Sequence, residues 1–319
     1  MNGSDPRGAT GSGDEPADHP ARDPAHAEFV PAPGPGGPAP GSPADPAVRP
    51  SRAGRDLPAA IAVGVGLGGL VLASLFIVRD AFLAVVVAFA LIGIRELSGA
   101  LATGGTKVPM IPVGLGGVAM LVGAWAGGAE LVVVAFGVTL LGVLLVRLPA
   151  GAQGYVRDVT AGLFTLAYVP LLGSFAVLLA VPADGAWRVV AFVVTTIASD
   201  IGGYAVGVLA GRHLMAPTIS PKKSWEGFAG SVATCSVAGW LTVSYGLGGP
   251  AWVGVLLGVL TACAATIGDL SESLIKRDLG IKDMGSLLPG HGGMMDRLDS
   301  LLFVAPVAWI VLDMLVPVS

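Results

Sequence analysis

The chain is poor in charge: only 13% of its 319 residues are Asp, Glu, Lys or Arg. A soluble globular domain carries about 25%, so this deficit excludes an ordinary water-soluble fold. Cysteine is scarce as well. Cys235 and Cys263 both fall inside apolar stretches, with no CxxC pattern and no histidine neighbour, which argues against a disulfide or a metal role and for small buried hydrophobes. The first 56 residues lack apolar density, with Phe29 as their one aromatic among Pro, Gly, Ala and Asp. Such a segment cannot bury enough surface to offset chain entropy, so residues 1–56 are expected to form a disordered cytoplasmic tail. They also lack the basic-then-apolar start of a signal peptide. His19 and His26 lie in this tail and read as solvated residues, not ligands.

What is abundant is apolar material, 53% of the chain, with a mean hydropathy of +0.77. It comes in blocks long enough to cross a bilayer, which takes about 20 helical residues. Runs near 58–78, 81–101, 109–127, 130–146, 159–181, 187–209, 227–245, 251–267 and 298–318 predict an all-α polytopic membrane protein of about nine transmembrane helices. Residues 57–186 would supply the N-terminal helices, and 187–319 a catalytic region with cytoplasmic loops. Glycines within the spans, such as Gly64, Gly66, Gly68 and Gly69, suggest close helix packing. With nine spans and a cytoplasmic N-terminus, all of the 18 Lys and Arg except Arg79 and Arg188 fall on the cytoplasmic side, as the positive-inside rule requires.

Against this background the polar run from Gly268 to Ser300, between two apolar spans, stands out. Asp269, Glu272, Ser273 and Lys276 recur at i, i+3, i+4 and i+7, which puts them on one face of a continuing helix. Asp296, Asp299 and Ser300 repeat the spacing where the last span begins. Two acidic faces entering the membrane from one side can converge on Mg²⁺, which takes one or two carboxylates completed by water and substrate phosphates. The same charges also read as helix-end salt bridges, Glu272 with Lys276 for example. Between the faces, Pro289-Gly290-His291-Gly292-Gly293 cannot be helical and lets backbone N–H groups approach a ligand. His291 fits a phosphate donor, a base or a turn residue.

A second constellation is Ser220-Pro221-Lys222-Lys223-Ser224-Trp225-Glu226, in the loop before the seventh span. Paired lysines flanked by serines suit phosphate or pyrophosphate; an interfacial anchor with Trp225 is the alternative. Asp200 lies about 20 Å along a span whose apolar core is about 30 Å thick, and an intramembrane carboxylate is a functional candidate by default. Tyr204 follows one turn later. Arg95 and Glu96, at the end of the second span, read as an interfacial pair, with contact to the site as the alternative.

Taken together, Ser273-Leu-Ile-Lys276-Arg277, Lys282-Asp283, Pro289-Gly-His291-Gly292-Gly293 and Asp296-Arg297-Leu-Asp299-Ser300 resemble the signature of the CTP:phosphatidate cytidylyltransferases, the CDP-diacylglycerol synthases. Ile219-Ser-Pro-Lys-Lys-Ser-Trp-Glu-Gly, and Asp200 with Tyr204, are similar to that family's other elements. The resemblance covers about residues 190–319. It implies a dimer of nine-helix subunits in the plasma membrane, with a site open to the cytoplasm and laterally to lipid. CTP and phosphatidic acid would be its substrates and membrane lipid its surroundings, with no nucleic acid. Asp269 and Asp296 would hold Mg²⁺, with a second cation such as K⁺ nearby. Lys276, Arg277, Asp283, His291, Arg297 and Asp299 would complete the catalytic set. Ser220, Lys222, Lys223, Ser224, Glu226, Asp200, Tyr204, Ser273, Gly292 and Gly293 would meet substrate.

The chemistry agrees with these residue types. A phosphomonoester is already anionic at neutral pH, its second pKa being about 6, and can attack the CTP α-phosphorus without a base. The obstacle is bringing two polyanions together, which metal ions and fixed cations offset. Two other functions fit parts of the pattern. A CTP-dependent polyprenol kinase would release CDP and give His291 or Asp200 the role of base, and an ion-coupled transporter would use Asp200 and Asp269 as relay carboxylates but leave the lysine pair unused. Because the tail carries no motif, removing residues 1–50 is expected to leave CDP-diacylglycerol formation in membranes nearly unchanged. An inactive truncation would overturn that view of the tail.

Overall fold

The computed structural model describes residues 57–285 and 292–318. The expected disorder of residues 1–56, and the expected roles of Pro289, Gly290 and His291, lie outside the described residues. The described chain is nearly all helix: α1 (Leu57–Ile77), α2 (Arg79–Thr103), α3 (Met110–Arg147), α4 (Tyr155–Leu166), α5 (Leu172–Ala180), α6 (Gly185–Ala210), α7 (Trp225–Leu241), α8 (Ala251–Asp278) and α9 (Met295–Leu315). Six helical segments among the described residues are long and apolar enough to cross a membrane, so the protein is an all-α polytopic membrane protein.

The nine expected runs map onto these helices unevenly. The third and fourth share α3, which breaks at Gly127–Gly128, where Gly128 has φ +70. A left-handed residue there needs glycine, so the sequence places the bend. The fifth run becomes α4 and α5 joined by a π turn, Ala167–Leu171, around Pro170, whose missing N–H cannot continue the α-helical ladder. The seventh becomes α7, only 17 residues long, followed by a second π turn, Thr242–Gly246.

Burial is arranged as a bilayer demands. Leu115, Val133, Val138, Leu141 and Leu145 of α3 are exposed, a surface that water would penalise and lipid accepts. Two buried apolar clusters lie inside. One gathers Leu179, Phe192, Leu257, Val304 and Leu312; the other gathers Ile94, Leu97, Met120, Leu166, Met295 and Leu302. The last helix, α9, contributes to both.

Glycine does bring helices together, though not at the positions expected. A Cβ on Gly64, Gly66, Gly68 or Gly69 would meet nothing within 4 Å. Close approach occurs instead between α6 and α7, where a Cβ on Gly230 would lie 2.6 Å from the Gly202 carbonyl oxygen, and between α7 and α8, where one on Gly258 would lie 2.5 Å from Ser236 Cα. The loop expected before the seventh span is also more ordered than a loop. Strands β1 (Leu214–Ala216) and β2 (Ser220–Ser224) pair antiparallel, and they carry Lys222 and Lys223.

Arg79 and Arg188, the two arginines left on the far side by charge counting, both cap helix ends. The Arg79 guanidinium donates to Ala180 O and Pro182 O, each at 2.6 Å, and to Val181 O, just past α5, and lies 5.6 Å over the Trp125 ring. Buried Arg188 donates to Asp184 Oδ1, Leu312 O and Val316 O, each at 2.8 Å, and so closes the end of α9. Carbonyls at helix C-terminal ends, where the dipole favours a cation, thus take up both charges.

Gly230→Ala is expected to destabilise the protein by about 1–3 kcal/mol, because its Cβ has no room against α6. Gly66→Ala is expected to be neutral. Thermal unfolding in detergent checks the pair, and equal melting temperatures for the two variants would contradict this packing.

Candidate active site

The polar face of α8 and the first turns of α9 meet through ion pairs. Lys276 Nζ donates to Glu272 Oε2 at 2.6 Å on its own helix and to Asp296 Oδ1 at 2.8 Å on α9. The other Asp296 oxygen accepts from the backbone N–H of Gly293 at 2.8 Å and of Met284 at 3.1 Å. One helical turn before Glu272, Asp269 accepts from Lys223 Nζ and from Ser300 Oγ. Asp299 Oδ1 accepts from Ser300 N at 2.7 Å, and its carboxylate lies within electrostatic reach of Asp269, Glu272 and Asp200. The salt bridge between Glu272 and Lys276, one of the two sequence readings, therefore forms, and it forms inside the acidic cluster.

The lysine hairpin reaches the same place. A cavity of about 170 Å³ is lined by Asp200, Gly203 and Tyr204 of α6, Lys222 and Lys223 of β2, and Asp269 of α8. Asp200 opens into this cavity, with Lys223 and Arg297 in electrostatic range. Arg277 is exposed and its Nε donates to Ile219 O, so it pins the hairpin to the end of α8. Glu226 accepts from the His213 ring at 2.6 Å and from the amides of Arg212 and His213 at 3.1 and 3.2 Å. Those donors, the His213 ring first, hold its carboxyl well below the usual carboxylate range. Ser224 Oγ caps α7 by accepting from Gly227 N at 3.1 Å, which leaves its hydroxyl hydrogen free to donate.

Among the remaining expected residues, a Cβ on Gly292 would lie 3.0 Å from Asp296 Oδ2 and 3.6 Å from Asp283 Oδ1, so Asp283 stands beside the base of the glycine loop. Lys222 is exposed, Ser220 and Ser273 are half-buried, and Tyr204 is exposed at the cavity rim. His291 lies outside the described residues. A second cavity, of about 110 Å³, has apolar walls that include Val86, Phe192, Leu298, Leu301 and Ala305. It occupies the face of α9 turned away from the acids.

Two residues at the site were absent from the expected set. Glu96, read as half of an interfacial pair with Arg95, turns inward and its Oε2 accepts from Met295 N at 2.8 Å. Tyr168, on the π turn, is buried within electrostatic reach of Glu272, Asp299 and Asp269. Among the described residues, Glu96 Oε1, Glu272 Oε1 and Tyr168 Oη are buried with no hydrogen-bond partner. An ionisable residue inside an apolar run was the available signal for Glu96; Tyr168 had none.

Among the described residues no three His, Cys, Asp or Glu side chains form a group able to hold a metal ion. Mg²⁺ does not require three, since substrate phosphates complete its shell. Asp269 and Asp296 are oxygen donors of that kind, each paired with a lysine, Lys223 and Lys276, and Glu272 on the same face of α8 as Asp269 keeps one buried oxygen without a hydrogen-bond partner.

The profile of the Cytidylyltransferase family matches residues 58–315. The chain is 45% identical over 291 residues to a phosphatidate cytidylyltransferase of Mycobacterium bovis, covering 87% of this chain and 95% of that protein. It is 43% identical over 280 residues to the Mycobacterium leprae protein of the same name, covering 83% and 90%. Toward a Synechocystis phosphatidate cytidylyltransferase it is 45% identical over 123 residues, 38% of this chain and 41% of that one. A match that takes in both halves of the chain, and with them Glu96, the lysine hairpin and the paired acids, identifies it as a member of the cytidylyltransferase family.

Proposed function

We propose that the protein is a phosphatidate cytidylyltransferase, which makes CDP-diacylglycerol and pyrophosphate from CTP and phosphatidic acid. The observation that carries this reading is the contact of Lys223 with Asp269, which brings a phosphate-type lysine loop onto the acidic face within a chain of this family. A phosphate oxygen of the lipid attacks the α-phosphorus of CTP. The new P–O bond forms as the bond to the β-phosphate breaks, and pyrophosphate leaves with the electron pair. No proton has to be removed from the nucleophile, so His291 is not needed as a base.

In this reading Ser220, Lys222, Lys223 and Ser224 hold phosphates, with Arg277 fixing the hairpin that presents them. Lys276 and Arg297 offset charge on the α9 side, and Asp200, Tyr204, Glu226, Ser273, Gly292 and Gly293 shape the pocket. Asp269 and Asp296 would hold Mg²⁺, which would supply Lewis-acid neutralisation of the phosphates, and the neighbouring Asp283 and Asp299 would serve a second cation such as K⁺. The site and the N-terminus face the cytoplasm of a plasma-membrane homodimer, an orientation that charge placement supports.

The test is purified protein with Mg²⁺, phosphatidate and CTP labelled on its α-phosphate. CDP-diacylglycerol and pyrophosphate are expected. CDP alone, with a phosphorylated alcohol, would mean a kinase. Asp269→Asn and Asp296→Asn are each expected to lower turnover by on the order of 100-fold or more, while the protein still inserts and folds, with a lower unfolding temperature because a lysine partner is lost. Normal turnover in either would remove the metal assignment, and a trapped cytidylyl-enzyme would overturn direct attack.

A further inference from the structure

The last helix begins without a cap of its own. Met294 at its N-cap has no side-chain acceptor, yet the first N–H groups of a helix need partners. Met294 O accepts from the N–H groups of Arg297 and Leu298, and the N–H of Met295, the first residue of the helix, goes to a carboxylate from far along the chain: Glu96 of α2, 199 residues away, takes it. Asp296 takes the N–H groups of Met284 and Gly293, which precede the helix.

Glu96 is also wedged in place. A Cβ on Gly293 would lie 2.8 Å from its Cδ, and one on Gly285 would lie 2.8 Å from its Cγ, with its carboxylate oxygens closer still. Real Cβ atoms do not approach so near, so a side chain at either position would push the Glu96 carboxylate aside. A carboxylate at a helix N-terminus is favoured by the helix dipole, and this one is fixed by α2, a helix packed in the N-terminal half of the chain. Gly285 follows Met284, and Gly293 is itself one of the two residues whose N–H groups Asp296 takes. Movement of Glu96 would therefore be felt at Asp296 and at its ion pair with Lys276.

We propose that Glu96 is a positioning residue for the reaction: it caps α9, fills the notch between Gly285 and Gly293, and so holds Asp296 opposite Lys276. The proposal rests on the role given to Asp296 above.

The experiment uses the full chain in lipid nanodiscs, with three single variants, Glu96→Ala, Glu96→Gln and Gly285→Ala, and the double variant Gly285→Ala/Glu96→Ala. Turnover, KM for CTP and hydrogen exchange over residues 292–298 are measured for each. Glu96→Ala is expected to lower kcat by about 10–100-fold, the range for residues that orient a ligand-bearing side chain, with little change in KM, and to speed exchange at Gly293 and Met295. Glu96→Gln keeps an acceptor for the Met295 N–H and is expected to restore most of the rate. Gly285→Ala acts by pushing on the same carboxylate, so the double variant is expected to be no worse than Glu96→Ala, a non-additive pair.

Wild-type kcat in Glu96→Ala, a loss limited to a lower melting temperature, or independent and multiplying effects of the two substitutions would each overturn the proposal. If Glu96→Ala fails to fold, Glu96→Gln and Gly285→Ala decide: unchanged exchange and rate in Gly285→Ala overturn it. The exchange measurement needs no substrate, so it separates failure of this proposal from failure of the catalytic reading of Asp296, which Asp296→Asn tests alone.

Discussion

A charge placed among apolar helices has to be compensated within the chain, and here the central compensation is Lys276. Its ammonium bridges Glu272 on the same helix and Asp296 on α9. Removing one partner from such a half-buried set leaves the other uncompensated, at about 3–5 kcal/mol in buried cases, so the three are held as a unit. Asp296 in turn fixes the backbone at Met284 and Gly293. Because α9 packs into both apolar clusters, the same ion pair sets the register of the acidic face against the core. The second pair, Lys223 with Asp269, then brings the hairpin to an α8 face whose position is already fixed.

The far side of the membrane obeys the same rule with a different partner. Arg79 and Arg188 look like exceptions to the positive-inside pattern if charges are only counted. Their hydrogen bonds explain them, since each guanidinium satisfies carbonyls at the end of a helix, and Asp184 neutralises Arg188 directly. The positive-inside rule concerns charges whose location is set by insertion. A charge consumed by a helix terminus carries little topological information, so the pattern is cleaner than the raw count suggested.

How much of this could be read from the residues depended on distance along the chain. The acidic faces were legible because i, i+3, i+4 and i+7 spacing converts directly into one side of a helix. The spans were legible from length and apolarity, whereas the π turn around Pro170 lay unread inside a single expected run. The inward turn of Glu96 was not legible, because its partner Met295 lies 199 residues on and a carboxylate beside an arginine looks self-sufficient. The close glycine contacts depend on which helix lies opposite, so Gly230 and Gly66 look alike in sequence and differ only in the packed chain. The hairpin is too short, three residues against five, to leave a periodic trace.

The pairing also bears on which ligand such a site would take up. Carboxylates as crowded as Asp200, Asp269, Glu272 and Asp299 would repel one another if nothing intervened. Lys223 pairs with Asp269 and Lys276 with Glu272, which makes the cluster tolerable in a low-dielectric setting. Under the proposed function the same two lysines are the groups a polyphosphate would seek, and Asp269 and Asp296 are those a divalent cation would seek. A metal-bound nucleotide offers both complements at once, so lysine and aspartate could exchange partners with little change in local charge. A bare anion or a bare cation would leave one of them buried without a partner. Under the proposed function the internal ion pairs would therefore favour a metal–nucleotide complex over either component alone, and that preference would follow from Lys223 and Lys276 as much as from the acids.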